Sequence, residues 1–151
     1  MGKLVGIATR ATLDGPMASH ERAAVCQGSG LEGDSRGAVA GRQVTVLSRE
    51  AWEATCAHLG RDEPWTARRA NLLLEGLDLR DTEGLRLRIG GVELEITGET
   101  RPCAHIGVRV PGLTRALALD WRGGITCDVV RGGELTVGDE ARLAEPDEVQ
   151  R

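Results

Sequence analysis

The sequence contains no phenylalanine and no tyrosine, and only three tryptophans among its 151 residues. Its hydrophobic fraction is nevertheless 40%, which is ordinary for a globular protein. Leucine, valine and isoleucine must therefore fill the core of one domain, for which the length is sufficient. Glycine is abundant, at 21 residues, without the regular spacing of collagen. The many tight turns that this implies favour a β-rich fold of short strands.

Further absences exclude classes of function. The net charge of −4 argues against a nucleic-acid partner, which usually requires a basic face. No stretch approaches 18 consecutive apolar residues, and the N-terminus lacks the apolar segment of a signal peptide. We therefore expect no membrane association and a cytoplasmic location. The four cysteines, Cys26, Cys56, Cys103 and Cys127, form no C-x-x-C motif, which argues against a zinc module or a thioredoxin-type redox site. Without a secretory signal, we expect free thiols rather than disulfides.

Alternating apolar and polar residues predict seven or eight short strands. The clearest pair is a hairpin, with Leu85–Ile89 and Val92–Ile96 joined at Gly90-Gly91. Two helices are predicted at residues 49–59 and 111–121, the first of them between the N-cap Ser48 and the terminator Gly60. Short strands with protected edges predict a β-rich α+β fold, a closed or nearly closed barrel with both helices outside it.

The second strand of this hairpin leads into Thr100-Arg101-Pro102-Cys103-Ala104-His105. Proline cannot donate to a sheet, so the strand should end at Pro102 and leave Cys103 at its edge. Arg101 and His105 flank the thiol, and cationic neighbours lower the pKa of a cysteine and favour the reactive thiolate. The alternative is an inert buried thiol, which is commoner for an isolated cysteine.

Two other segments are suited to binding an anion. Gly28–Gly37 holds four glycines, whose backbone N–H groups could converge on a negative charge. The alternative is a surface loop in which Asp34 caps a turn, and spacing alone favours it. Arg68-Arg69-Ala70-Asn71 precedes a buried strand and could clamp a phosphate or carboxylate through forked hydrogen bonds. Such arginines are more often solvated in a loop.

An ordered series of motifs resembles the MOSC domain, which is found at the C-terminus of molybdenum cofactor sulfurases. The motifs are Gly30–Asp34, Arg42–Ser48, Arg69–Leu72, Gly76–Leu77, Leu87–Gly90, Arg101–Cys103 and Val130–Asp139. The resemblance covers residues 1–143 as a single domain and leaves residues 144–151 as a polar tail. It implies a β-barrel of the kind seen in the pyruvate kinase barrel domain.

The resemblance also implies a site. Cys103 matches the family's functional cysteine, which is proposed to carry sulfur as a persulfide, or to ligate molybdenum in the related amidoxime-reducing proteins. Arg69 and Asn71 match an Arg-x-Asn element that lies near the pterin cofactor in those reductases. We add Arg101, which neighbours the cysteine, to the expected cofactor-binding residues. Asp34 and Arg36 complete this set from the glycine-rich loop.

Three functions remain open. The first is a sulfur carrier or transferase that receives sulfane sulfur on Cys103 from a cysteine desulfurase or another donor and delivers it to an acceptor such as the molybdenum cofactor. The second is a molybdenum-cofactor carrier or reductase subunit, with Cys103 as metal ligand and a separate electron-donor protein. The third is a non-catalytic module that binds an anionic small molecule. The sequence has no room for the pyridoxal-phosphate desulfurase domain of the full sulfurases.

The cationic neighbours of Cys103 generate a first prediction. The pKa of this thiol should lie below that of a free cysteine, and it should rise when Arg69 or Arg101 is replaced by alanine. The rate of Cys103 alkylation, followed over a pH series in the wild type and in both variants, measures this. A wild-type profile at the free-cysteine position, unmoved by either substitution, would contradict the prediction.

Overall fold

The computed structural model describes residues 1–12, 15–100 and 121–146, and this part of the chain is mainly β. One α-helix, α1, spans Arg49–Leu59, and a 3₁₀ turn spans Trp65–Arg68. The strands are β1 Gly2–Thr9, β2 Ala18–His20, β3 Arg22–Cys26, β4 Gly30–Leu31, β5 Val44–Ser48, β6 Leu72–Glu75, β7 Arg86–Ile89, β8 Val92–Glu99, β9 Ile125–Arg131, β10 Gly133–Thr136 and β11 Glu140–Ala144.

Seven of these strands close into a barrel in the order β11-β7-β8-β9-β5-β6-β1. Closure is made by β1, which pairs with β6 along most of its length and with β11 at Gly2 and Lys3. The neighbouring strands are antiparallel except for β5 and β6, which are parallel. The far end of β1 also pairs with β2, and β10, β3 and β4 form a separate small sheet. The predicted closed, mainly β barrel is confirmed.

The helix α1 makes the crossover that the parallel β5–β6 pair requires. It begins at Ser48, whose Oγ accepts a hydrogen bond from the backbone N–H of Ala51 at 3.2 Å, and ends at Gly60, whose φ of 72° suits glycine. It packs outside the barrel, where Trp52 and Cys56 contact Leu47 and Leu73. The first predicted peripheral helix is therefore confirmed. The second predicted helix, over residues 111–121, falls outside the described residues except at Trp121.

Among the described residues, no helix is long and apolar enough to span a membrane.

Aliphatic side chains fill the barrel interior, as the missing aromatics predicted. Strand β5 is buried on both faces, because Val44 and Val46 face the barrel core while Leu47 lies under α1. Cys127 joins the barrel core and Cys56 the cluster under α1, so both are buried as predicted. Cys26 is exposed.

The hairpin of β7 and β8 carries a buried charge on its outer face. Glu93 is only 2% exposed, and its two carboxylate oxygens bind Arg86 Nη1 at 2.9 Å and Arg88 Nε at 2.8 Å. A buried carboxylate is tolerated when both oxygens are paired in this way. The alternating arginines of β7 are therefore explained by Glu93 on the neighbouring strand.

Cys127 generates a prediction about alkaline pH. Burial, with a smaller contribution from the charge of Asp128, raises the pKa of the Cys127 thiol far above its ordinary value. The folded protein keeps this thiol protonated, whereas the unfolded chain loses the proton above about pH 8.5. The free energy of unfolding should therefore fall as the pH rises beyond that value, by up to about 1.4 kcal/mol per pH unit from this thiol.

Urea denaturation of the wild type and Cys127→Val between about pH 8 and pH 10 measures this fall. The chain has no tyrosine and one lysine, so few other side chains titrate there. The Cys127→Val variant should have the shallower pH dependence, whereas Cys26→Val, which replaces an exposed thiol, should match the wild type. Equal slopes for the wild type and Cys127→Val would contradict this account.

Candidate functional site

The end of β8 is the part of the described structure nearest in sequence to the predicted cysteine. The backbone N–H of Thr100 donates to the carbonyl of Gly124 at 2.8 Å. Thr100 is 5% exposed, and its Oγ1 has no hydrogen-bond partner within residues 1–12, 15–100 and 121–146. Arg101 and Cys103 themselves lie outside the described residues, so their assignment to the site stays a prediction.

A buried arginine approaches the same place from another loop. Arg68 ends the 3₁₀ turn, is 7% exposed, and donates from Nε to the carbonyl of Gly123 at 3.1 Å. Gly123 and Gly124 belong to one turn, closed by a 3.0 Å hydrogen bond from the N–H of Gly124 to the carbonyl of Trp121. The turn Trp121–Gly124 therefore holds both the arginine loop and the end of β8.

The expected cofactor-binding residues include Arg69 but not Arg68, although the sequence offers both arginines as a possible clamp for an anion. Arg69 has a left-handed backbone, with φ at 65°, and its guanidinium donates from Nη2 to the carbonyl of Gly15. Arg69 therefore holds the segment before β2, while Arg68 reaches the turn Trp121–Gly124. The only sequence signal for Arg68 was its position beside Arg69, ahead of a buried strand.

Asn71 is a buried clamp between strands. Its side-chain Oδ1 accepts from the N–H of Thr45 at 3.0 Å and from Thr45 Oγ1 at 3.2 Å, and its Nδ2 donates to the carbonyl of Ala8 at 3.2 Å. Its backbone N–H and carbonyl bind the same two neighbours. One residue, 5% exposed, thus joins the ends of β1, β5 and β6. Its predicted contact with a cofactor stays a prediction.

Asp34 holds the glycine-rich loop against the end of β1. Its Oδ1 accepts from the N–H of Arg10 at 3.0 Å, and its Oδ2 accepts from the N–H of Arg36 at 3.3 Å. These bonds agree with Asp34 as the cap of a turn, and they engage the carboxylate with backbone donors. Arg36 is partly buried and makes no ion pair within the described ranges. Their assignment to cofactor binding stays a prediction.

A row of outward-facing threonines crosses the strands between these elements. Thr45, Thr126 and Thr97 lie on the consecutive strands β5, β9 and β8. The hydroxyls of Thr97 and Thr126 are 2.6 Å apart, and Thr97 Oγ1 donates to the carbonyl of Gly41 at 2.6 Å. The N–H of Gly41 donates in turn to Asp128 Oδ1 at 2.8 Å. The segment that follows the glycine-rich loop is thereby fixed beside β8, and sequence reasoning missed this row.

The chemistry of these groups favours an anion. At the end of β8, Arg68 provides a permanently charged donor and Thr100 a buried hydroxyl, whereas Arg69 binds the carbonyl of Gly15 instead. Within the part of the chain that the structure describes, no three His, Cys, Asp or Glu side chains are placed to hold a metal ion. Fold and donor groups together define a β-barrel protein with a candidate anion site at the end of β8.

Residues 32–142 match the family model of the MOSC domain, which is most of the chain. The chain therefore belongs to the MOSC domain family, and the resemblance seen in its motifs is confirmed. A search of curated proteins found no relative.

Solved structures of similar fold include the YuaD protein from Bacillus subtilis, at 23% identity and a TM-score of 0.79, covering 97% of this chain and 98% of that one. YiiM from Geobacillus stearothermophilus is 18% identical with a TM-score of 0.74, covering 96% and 76% of the two chains. YiiM from Escherichia coli is 14% identical with a TM-score of 0.72, covering 96% and 71%. At these identities the likeness concerns the fold alone.

The Asn71 clamp generates a prediction about stability. Asn71→Ala should lower the free energy of unfolding by about 2–3 kcal/mol, because it leaves the buried Thr45 N–H and Ala8 carbonyl without their side-chain partner. Urea denaturation measures the loss. In a double-mutant cycle, Thr45→Val should cost less in the Asn71→Ala background than in the wild type. Additive losses would show that the two side chains do not act as a unit.

Proposed function

We propose that this MOSC protein is a sulfur carrier that holds sulfane sulfur as a persulfide on Cys103. The observation that supports the proposal most is the shared turn Trp121–Gly124, which binds Thr100 at 2.8 Å and the buried Arg68 at 3.1 Å. Thr100 precedes Cys103 by three residues. Three residues span at most about 10 Å, so the proposal places the sulfur chemistry around this end of β8.

The buried guanidinium of Arg68 at this end of β8 could stabilise a negative charge on sulfur. Thiolates and persulfides carry their reactive negative charge on sulfur, and a nearby cation favours that charged form. Arg68 cannot lose its charge, and its burial reduces screening by water. The hydroxyl of Thr100, which has no hydrogen-bond partner among the described residues, offers a further donor close to the same point. Arg68 thus joins Arg69 and Arg101 as a group proposed to stabilise anionic sulfur.

The transfer needs no oxidant or reductant beyond the donor persulfide. The Cys103 thiolate attacks the outer sulfur of that persulfide, a new S–S bond forms, and the donor leaves as a thiolate. A nucleophile on the acceptor then attacks the outer sulfur of Cys103, and the Cys103 thiolate is regenerated. We propose a cysteine desulfurase as the donor and a cytoplasmic setting for the exchange.

The molybdenum cofactor is the second candidate. Its phosphate would suit Arg36, Arg68 and Arg69, and Cys103 would be the metal ligand. The Thr100 hydroxyl has no partner within the described residues and could also donate to it. The cofactor would supply redox chemistry when bound, with electrons from a separate protein. The Asn71 amide and the Asp34 carboxylate are already bonded within the fold, which leaves fewer groups to contact the pterin. We therefore rank the sulfur carrier first.

Sulfur loading by a cysteine desulfurase tests the proposal. After incubation with the desulfurase and L-cysteine, intact-mass spectrometry should show an adduct of one sulfur, about 32 Da, that a reductant removes. Peptide mapping should place it on Cys103. Cys103→Ser should abolish the adduct, and Arg68→Gln should slow its formation by about tenfold or more, since one charge-assisted interaction is lost.

Cys26 provides the matched control, because it is an exposed thiol on another part of the fold. Cys26→Ser should load as the wild type does. Loading that survives Cys103→Ser and disappears in Cys26→Ser would refute the sulfur-carrier proposal. If the wild type takes up no sulfur and Cys103→Ser has no measurable effect, the result would instead favour the third function, a non-catalytic module that binds an anionic small molecule.

A further inference from the structure

A cavity lies beside α1, next to the turn Trp121–Gly124 of the candidate site. It encloses about 430 Å³ between the first turns of α1, the segment 76–80 that follows β6, and Trp121 with Arg122. Arg69, Asn71, Asp34 and Arg36 do not line it. A volume of this size suits a small organic molecule.

The walls of the cavity are mainly apolar. Ala51 and Ala54 line it from the helix, Leu77 and Leu79 from the segment after β6, and Trp121 from the turn before β9. The small alanines leave room above the helix, and the tryptophan offers a flat surface for an apolar or aromatic group. A polar rim is supplied by Glu50, Asp78, Arg80 and Arg122.

The charged residues on this rim differ in whether they have a partner within the described residues. Asp78 is paired with Arg80 at 2.8 Å, and hydrogen bonding to Arg80 lowers the pKa of Asp78. Glu50 accepts hydrogen bonds from the N–H of Gly76 at 3.0 Å and from Ser48 Oγ at 3.3 Å. Arg122 has no such arrangement: its Nη1 is buried without a hydrogen-bond partner, and it makes no ion pair within the described residues. Because Arg122 lines the cavity without an ion-pair partner among the described residues, its guanidinium can pair with the carboxylate of a ligand.

We propose that this cavity binds a small monocarboxylate with an apolar or aromatic body. The body lies between Trp121 and the alanines of α1, and the carboxylate pairs with Arg122. Glu50 disfavours a ligand with two negative charges, because a second carboxylate in the cavity would meet its repulsion, whereas Asp78 is already paired with Arg80. Arg122 is not among the residues proposed to stabilise anionic sulfur, although its turn also holds Thr100 and Arg68.

Calorimetric titration with three matched probes tests the charge requirement. The probes are 3-phenylpropanoate, its neutral amide 3-phenylpropanamide, and the dianion phenylsuccinate. The monocarboxylate should bind at least about tenfold more tightly than the amide, as loss of a charge-assisted hydrogen bond implies. Phenylsuccinate should also bind more weakly. Equal affinities of acid and amide, or no binding of any probe, would overturn the proposal.

Variants test the residues. Arg122→Gln should remove the preference for the acid over the amide, whereas Arg122→Lys should retain part of it. Arg131→Gln is the matched control, because Arg131 is an exposed arginine on β9 whose Nε donates to the carbonyl of Gly91. Ala54→Met should fill the cavity and weaken both probes without changing any charge. Unchanged discrimination in Arg122→Gln, or full affinity in Ala54→Met, would refute the assignment.

Discussion

A single buried amide, that of Asn71, ties together three of the strands around which the candidate site is built. Strands β5 and β6 are the parallel pair of the barrel, so the chain must leave the barrel after β5, cross outside it and return. The hydrogen bonds of Asn71 to Thr45 and Ala8 fix the point of return. Arg68 and Arg69 are the last charged residues of that crossover and directly precede the clamp. The hydrogen bonds of Asn71 therefore also fix the backbone position from which these two arginine side chains extend.

The turn Trp121–Gly124, which holds Thr100 and Arg68, depends on close packing between the start of β9 and β5. Gly124 has a φ of 90°, and a Cβ there would lie 2.1 Å from the carbonyl oxygen of Val46, so only glycine fits. This contact sets the turn Trp121–Gly124 directly against β5. The strand order β8-β9-β5-β6 then brings the end of β8 and the arginine loop to the same turn. A cation and the segment leading to Cys103 are thus neighbours through the barrel order, although they are distant in sequence.

Residues that act locally, such as helix caps and turn glycines, predicted much of the fold. They could not predict that the arginine loop and the end of β8 meet at the turn Trp121–Gly124. The Ser48 cap and Gly60 gave the bounds of α1, and the double glycine at 90–91 gave the β7–β8 hairpin, because each depends on adjacent residues. The pairing of β10 with β3, the bond from Arg68 to Gly123 and the clamp role of Asn71 all join residues far apart in sequence. The resemblance to the MOSC domain singled out Arg69 and Asn71 but could not tell a ligand contact from a hydrogen bond to a neighbouring strand.

The central claim is that the anion at this end of β8 is sulfur carried by Cys103. Mass spectrometry of the native protein, purified from a host grown with ample molybdenum, tests it most directly. The account predicts a Cys103 peptide that carries one additional sulfur and a preparation without bound pterin. A pterin and molybdenum bound at about one per chain, with Cys103 free of added sulfur, would contradict the account and favour the cofactor-binding function.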